Sequence, residues 1–316
     1  MREGFRIGIA VAVILIFGGL QTALAGEALT TNQPADSLSF VDLATMKEVA
    51  TLAIGGKPAG IALSPDKSKA YITAADSGEL VEVDAVHRTV SRRMKLGGGP
   101  VGIAAHPTLP EVYVADWYTH KIIVIDVTKW AVVGKIAVGK SPSGLAVTPD
   151  GQLLLSADRE SDAVSIVDIA TRTRLASIPV GTHPFGVTID AKGARAYTAN
   201  VKSDDVTVID IAGRRAIGHV PTGRRPYAVA LADGRGFSTN QYGSSVTAFD
   251  LDTLQPIKTI RACDHPEGIE TDASGKNVYV ACWGDNLLLR LDPITITITG
   301  KARVGDGPRA FGKFLR

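Results

Sequence analysis

Two residue types mark out a repeat along this chain. A turn proline recurs at Pro58, Pro100, Pro142, Pro184, Pro226, Pro266 and Pro308. An aspartate closes a β-branched run at Asp42, Asp84, Asp126, Asp168, Asp210, Asp250 and Asp292. Both series step by 42, 42, 42, 42, 40 and 42 residues, so two independent markers share one shortened step. Each unit holds four short runs rich in Val, Ile, Tyr and Thr, broken by Gly, Pro and Asp, a pattern of strands rather than of a helical repeat. In the unit that starts at Pro179 the runs are Phe185 to Ile189, Ala196 to Asn200, Val206 to Ile209 and Ala216 to Val220. A period of about 40 residues with four strands per unit predicts an all-β fold, a seven-bladed β-propeller with four-stranded blades.

The landmarks have physical reasons. The aspartate ends the third strand, where its carboxylate accepts backbone N–H groups of the hairpin turn. Thr45, Thr171, Thr253 and Thr295 follow three residues later and support the same turn. The proline fixes φ as the chain passes from an outer to an inner strand. Gly60, Gly102, Gly144, Gly186 and Gly268 sit two residues beyond it, where the inner strands crowd and a Cβ would clash. The last unit has only its innermost run, Arg309 to Leu315, while Ala28 to Asn32, Leu38 to Asp42 and Val49 to Ile54 match second, third and outer runs. The last blade is therefore expected to take one C-terminal and three N-terminal strands, which leaves no open sheet edge.

Residues 1–25 read as a secretory signal peptide: Arg2 and Arg6, an apolar stretch from Ile7 to Leu20, then Ala23-Leu24-Ala25 as a cleavage site. That apolar stretch is short for a membrane span. The expected mature chain, 26–316, is one propeller domain in the periplasm or secreted, without a membrane span once the signal is cut. A net charge of +2 argues against nucleic acid as a partner.

The ends of the second strands carry a resemblance. Tyr113-Val114-Ala115-Asp116, Tyr197-Thr198-Ala199-Asn200, Phe237-Ser238-Thr239-Asn240 and Tyr279-Val280-Ala281-Cys282 are variants of a Tyr-Val-Thr-Asn motif. Val147-Thr148-Pro149-Asp150-Gly151 and Leu63-Ser64-Pro65-Asp66 supply the matching Pro-Asp-Gly turn. With its Val-Gly-x-x-Pro turns, the chain resembles the Tyr-Val-Thr-Asn family of seven-bladed propellers over its whole mature length. The resemblance implies kinship in shape with the haem d1 domain of cytochrome cd1 nitrite reductase, the heavy subunit of methylamine dehydrogenase, and lactonase-type propellers. These differ in chemistry, so the resemblance carries fold further than function.

Loops leaving the outer strands, and those joining second to third strands, gather on one face of a propeller, where function is expected. Flanking the turn prolines on that face are His183 and Phe185, Arg225 and Tyr227, and His265 and Glu267, from the fourth to sixth blades. Trp283 joins them from the sixth blade, and Trp117 with Tyr118 from the second. They read as a ligand-binding rim, or as turn caps and inter-blade packing. His183 and His265 lie two blades apart, roughly 100° around the ring, a spacing suited to a larger planar or anionic ligand rather than to one shared ion. Asp116, Asp158 and Asn200, with Glu267, offer oxygen ligands for a divalent metal, or finish backbone hydrogen bonds at their strand ends. Cys263 and Cys282 are the only cysteines and read as a disulfide in an oxidising compartment, with a thiolate or redox pair beside His265 as the sharper alternative. No Cys-x-x-Cys-His motif occurs, so covalent c-type haem is not expected. No complete catalytic constellation stands out. The leading expectation is a scaffold, linked to redox metabolism, that binds a small ligand or a periplasmic redox protein. The alternatives are a metal-dependent lactonase or lyase, and a haem d1 or dehydrogenase-associated protein.

Overall fold

The computed structural model describes Met1 and residues 26–316. The signal peptide expected over residues 1–25 lies, apart from Met1, outside the described residues. Four-stranded antiparallel sheets follow one another along the chain. The fourth is typical, with strands Pro184–Ile189, Arg195–Asn200, Asp205–Asp210 and Arg215–Pro221. Together with the closing blade they make an all-β, seven-bladed propeller. Blades are numbered here from the one that begins at Pro58.

Each blade is held by the residues that mark the repeat. The Oδ1 atoms of Asp42, Asp168 and Asp250 accept the N–H of the threonine three residues on, each at 2.7 Å. These turn bonds hold the carboxyls of all three below the usual carboxylate range. Every inner strand is irregular near its start. In blade 4 the register runs from Pro184↔Asn200 to Val187↔Thr198, three residues against two. The turn glycine allows this kink because neighbouring inner strands nearly touch. A Cβ at Gly60, Gly102, Gly144 or Gly268 would overlap the carbonyl oxygen of Val101, Ser143, Phe185 or Ala310 in the next inner strand. Hydroxyls tie blades across the same gap: Thr31, Thr73 and Thr239 donate to the carbonyls of Ala59, Val101 and Glu267 at 2.7–2.8 Å. Between blades lie apolar clusters such as Tyr197, Val208, Val229 and Phe249.

The ring closes by the expected combination. Glu27–Asn32, Ser37–Asp42 and Lys47–Ala53 form the outer three strands, and the C-terminal run supplies the innermost. Arg309 N donates to Thr31 O at 2.7 Å, Leu29 N to Phe314 O at 2.9 Å, and Arg316 N to Glu27 O at 2.8 Å. The run is not, however, a regular strand. Its bridges are Asn32↔Pro308 and Ala28↔Leu315, seven residues against four, so it is looser than the other inner strands by two residues. The slack lets Phe311–Gly312 pair in parallel with Gly60 and Ile61 of blade 1. Ala310 and Gly312 take φ of 44° and 132° to make the detour. The detour carries the Phe311 side chain onto Phe185 and Tyr227, at the centre of the ring.

Candidate functional site

The slot before each turn proline is set by backbone geometry. Lys57, Ser141, His183, Arg225 and His265 all have φ between 48° and 57°. Four amides in this slot are accepted by a side chain 21 residues upstream: Lys57 by Asp36, His183 by Asp162, Arg225 by Asp204 and Gly307 by Asn286, at 2.7–2.9 Å. In blade 3 His120 Nδ1 plays that part for Ser141 N, at 3.1 Å. The left-handed backbone therefore belongs to the fold. What differs between blades is the side chain it presents.

On blades 5 and 6 those side chains form a continuous exposed stack. The Arg225 guanidinium lies 4.1 Å from the Tyr242 ring centroid. Tyr242 meets His265 edge-on at 5.2 Å, and His265 meets Trp283 edge-on at 6.1 Å. Asp264 Oδ1 is 2.8 Å from His265 Nδ1. Tyr242 is 48% exposed and Trp283 36%, so the stack stands open to a partner. Tyr242 was missed by slot-by-slot reading because it lies one residue beyond the slots compared, in the short helical turn Gln241–Gly243.

His183 does not belong to that stack. Its ring is mostly buried, with Nε2 3.6 Å from Glu160 Oε2, and its Nδ1 is buried without a hydrogen-bond partner. Burial and then the neighbouring Arg159 charge push its pKa below the ordinary histidine value, so it is neutral near pH 7. Trp117 lies across from it, with the Arg159 guanidinium 5.6 Å from its ring and Phe185 at 6.5 Å.

Phe185, Tyr227 and Glu267, read from sequence as rim residues, are drawn inward and seal the central channel. Phe185 lies 4.5 Å from Tyr227 and 4.8 Å from Phe311 between ring centroids. Beside them Arg309 Nε donates to Glu267 Oε2 at 2.7 Å, and Gln241 Nε2 to Glu267 Oε1 at 2.6 Å. Tyr227 and Glu267 are only 4% and 1% exposed. Burial drives the Tyr227 hydroxyl far above the ordinary tyrosine value, so it stays protonated. The physical reason is lateral crowding: residues that follow the turn proline sit where inner strands converge, and large ones must fill the gap rather than line a rim.

Of the oxygen ligands proposed for a divalent metal, Asp116 and Asp158 are engaged inside their own blade, and Glu267 is tied to Gln241 and Arg309 of the neighbouring blades. Asp116 accepts Thr119 Oγ1 at 2.6 Å and the Tyr118 amide at 3.2 Å. Asp158 accepts the hydroxyls of Ser156 and Ser165 and the Gly139 amide, and burial raises its pKa. Asn200 Nδ2 donates to Asp205 and Thr207 at 2.9 and 2.8 Å, which fixes the amide, while its Oδ1 is buried without a hydrogen-bond partner. Among the described residues, no group of three His, Cys, Asp or Glu side chains is arranged to hold a metal ion. Cys263 and Cys282 form a disulfide that ties the turn before Pro266 to the end of Val278–Cys282, beneath His265 and Trp283.

No protein-family model matches the chain, and no curated protein matches it. Solved structures do share its fold. A protein of unknown function from Desulfotomaculum acetoxidans superposes with a TM-score of 0.77 at 15% identity, over 90% of this chain and 99% of that one. Hydrazine synthase of Kuenenia stuttgartiensis gives 0.72 at 20%, over 81% and 89%. The dihydro-heme d1 dehydrogenase NirN, in complex with DHE, gives 0.67 at 14%, over 93% and 75%. At these identities the likeness is one of fold. Among the described residues no helix is long and apolar enough to cross a membrane.

Proposed function

We propose that this propeller is a periplasmic or secreted binding scaffold of the Tyr-Val-Thr-Asn type, which holds a partner on its turn-proline face. The observation that carries this reading is the exposed stack Arg225–Tyr242–His265–Trp283 lying over a sealed channel. A cation, an imidazole and two aromatic rings side by side suit a flat or anionic surface, and Trp, Tyr and Arg are the residues that dominate binding energy at interfaces. The plug beneath means that a ligand lies on the face and not within it. A haem d1-type macrocycle is not accommodated in the channel from this side, because Phe185, Tyr227 and Phe311 fill it. A link to redox metabolism is supported by the fold's use in a hydrazine synthase and a dihydro-heme d1 dehydrogenase.

Two measurements test the proposal. The first is an absorption spectrum with metal analysis on protein purified from its native compartment, which reads any bound chromophore. The second is partner capture from the same extract, comparing the wild type with Arg225→Ala/Trp283→Ala. A partner retained by the wild type and lost by the double variant is the expected result. Equal retention by both sinks the assignment to this face.

A further inference from the structure

The channel is sealed toward the turn-proline face but open on the other. A cavity of about 540 Å³ extends from Phe311 to a mouth formed by the turns between first and second strands. That volume lies within the range of about 300–1,000 Å³ typical of small-molecule sites. Its wall follows the repeat. The fourth residue after each turn proline is Ala62, Ala104, Ala146, Thr188, Ala230, Glu270 and Gly312, and all seven line the cavity. Small side chains in six blades leave the space open; the sixth blade breaks the ring with a carboxylate.

Glu270 is 8% exposed. Its Oε2 accepts the amides of Phe314 and Leu315 at 2.5 and 2.8 Å, which anchors the C-terminal run. Its Oε1 accepts no hydrogen bond among the described residues; Lys313 Nζ stands 3.6 Å away on a side chain that is 71% exposed. Asp272, which also lines the cavity, is occupied by its own turn through Ser274, Lys276 and Asn277. Glu270 Oε1 is thus a carboxyl oxygen without a hydrogen-bond partner at the edge of a hollow lined mainly by apolar side chains, and such an atom gains most from a cationic donor brought by a ligand.

We propose that this cavity binds a small molecule with an apolar body and one protonated amine, the ammonium meeting Glu270 Oε1 and the body lying along the ring of small side chains. The site is independent of the stack on the opposite face. Lys313, which also lines the cavity, is then a competitor for Glu270.

Benzylamine, benzyl alcohol and benzoate share one ring and differ in the head group, so calorimetric titration of the whole protein at pH 7 tests the assignment. Benzylamine should bind, benzyl alcohol about tenfold more weakly or worse, and benzoate not at all. Glu270→Gln keeps an acceptor for the Phe314 and Leu315 amides and should weaken benzylamine about tenfold or more. Ala146→Leu should abolish binding by filling the hollow without touching Glu270. Lys313→Met, which changes a mostly exposed side chain, should tighten benzylamine. Absence of benzylamine binding overturns the proposal, as does an unchanged affinity in Glu270→Gln. A preference for benzoate that Lys313→Met removes would overturn it in favour of an anion site.

Discussion

Phe311 rests on Phe185 with 4.8 Å between ring centroids, although the two come from inner strands of different blades. Phe311 reaches this position only because the C-terminal run is two residues looser than the other inner strands. The contact divides the propeller axis into a sealed side and an open side. Phe311→Ala should join the two and destabilise the fold by about 3–5 kcal/mol, the usual cost of deleting a buried phenyl ring. Urea unfolding gives the stability change, and a dye excluded from the wild-type channel reads the opening.

The ion pair beside this contact is less forgiving. Glu267 is 1% exposed on its side chain and Arg309 23%. Arg309→Ala strands the Glu267 carboxylate with only Gln241 as donor and should cost about 3–5 kcal/mol. Arg309→Met/Glu267→Gln should recover most of that loss, since no charge is then buried alone. Urea unfolding of Arg309→Met, Glu267→Gln and the two combined closes a double-mutant cycle that reads the coupling. Additive losses would mean that the pair is not coupled.

The inner strands predict a sharp glycine dependence. A Cβ on Gly102 overlaps the Ser143 carbonyl, which is main chain and has little room to yield. Gly102→Ala should lower stability by about 1–3 kcal/mol, the cost of overpacking. Gly234→Ala provides a contrast: nothing lies within 4 Å of its Cβ position, and its loss comes only from a φ of 69°. Thermal melts of the two variants separate steric crowding from backbone strain.

The hairpin aspartates set an acid limit. Turn amides at the third residue on are the leading cause holding Asp42, Asp126, Asp168, Asp250 and Asp292 below the ordinary value, and the His87 side chain is the leading cause at Asp84. A carboxyl whose folded pKa is lowered contributes stability above its unfolded pKa, about 4, and loses it as pH falls through the folded value. Asp158 and Glu270, raised by burial, act in the opposite sense. Asp36, Asp66, Glu79, Asp150 and Asp272 are lowered as well, so the lowered carboxyls outnumber the raised pair and the melting temperature should fall steeply below about pH 4. Asp168→Asn/Asp250→Asn should be less stable than the wild type at pH 7, and the gap should narrow as pH falls below about 4. A gap that does not narrow at all down to the lowest pH at which the wild type stays folded would show that charge is not the cause.

Fold and site were not equally legible in the sequence. Blade count, strand order and ring closure all followed from the spacing of Pro58 to Pro308 and Asp42 to Asp292, because a repeat forces each unit into the same local solution. The C-terminal detour was not legible. Arg309 to Leu315 aligns with other inner runs residue for residue, and its slack depends on pairing with Ala28 and Asn32 at the far end of the chain. For that reason Phe185, Tyr227 and Glu267 read as a rim when they are a plug. A signal was present: three large residues in adjacent slots after the turn proline, facing a narrow axis, have to pack on one another. The ring Ala62, Ala104, Ala146, Thr188, Ala230, Glu270 and Gly312 was equally visible in the repeat. Small residues in a repeated slot are also what close inter-blade packing demands, so the ring by itself carries no mark of a ligand.

The pairing of Ala28 with Leu315 has a consequence for how the molecule is born. Synthesis runs from the N-terminus, so Glu27–Asn32 emerges early, yet its inner neighbour is made only after six further blades. Through all that time one strand edge of the nascent protein is unmatched, at the moment when other unfinished copies on the same messenger are nearest. Whatever shields Glu27–Asn32 during that interval governs how much of the protein is recovered as single rings rather than as interlinked chains.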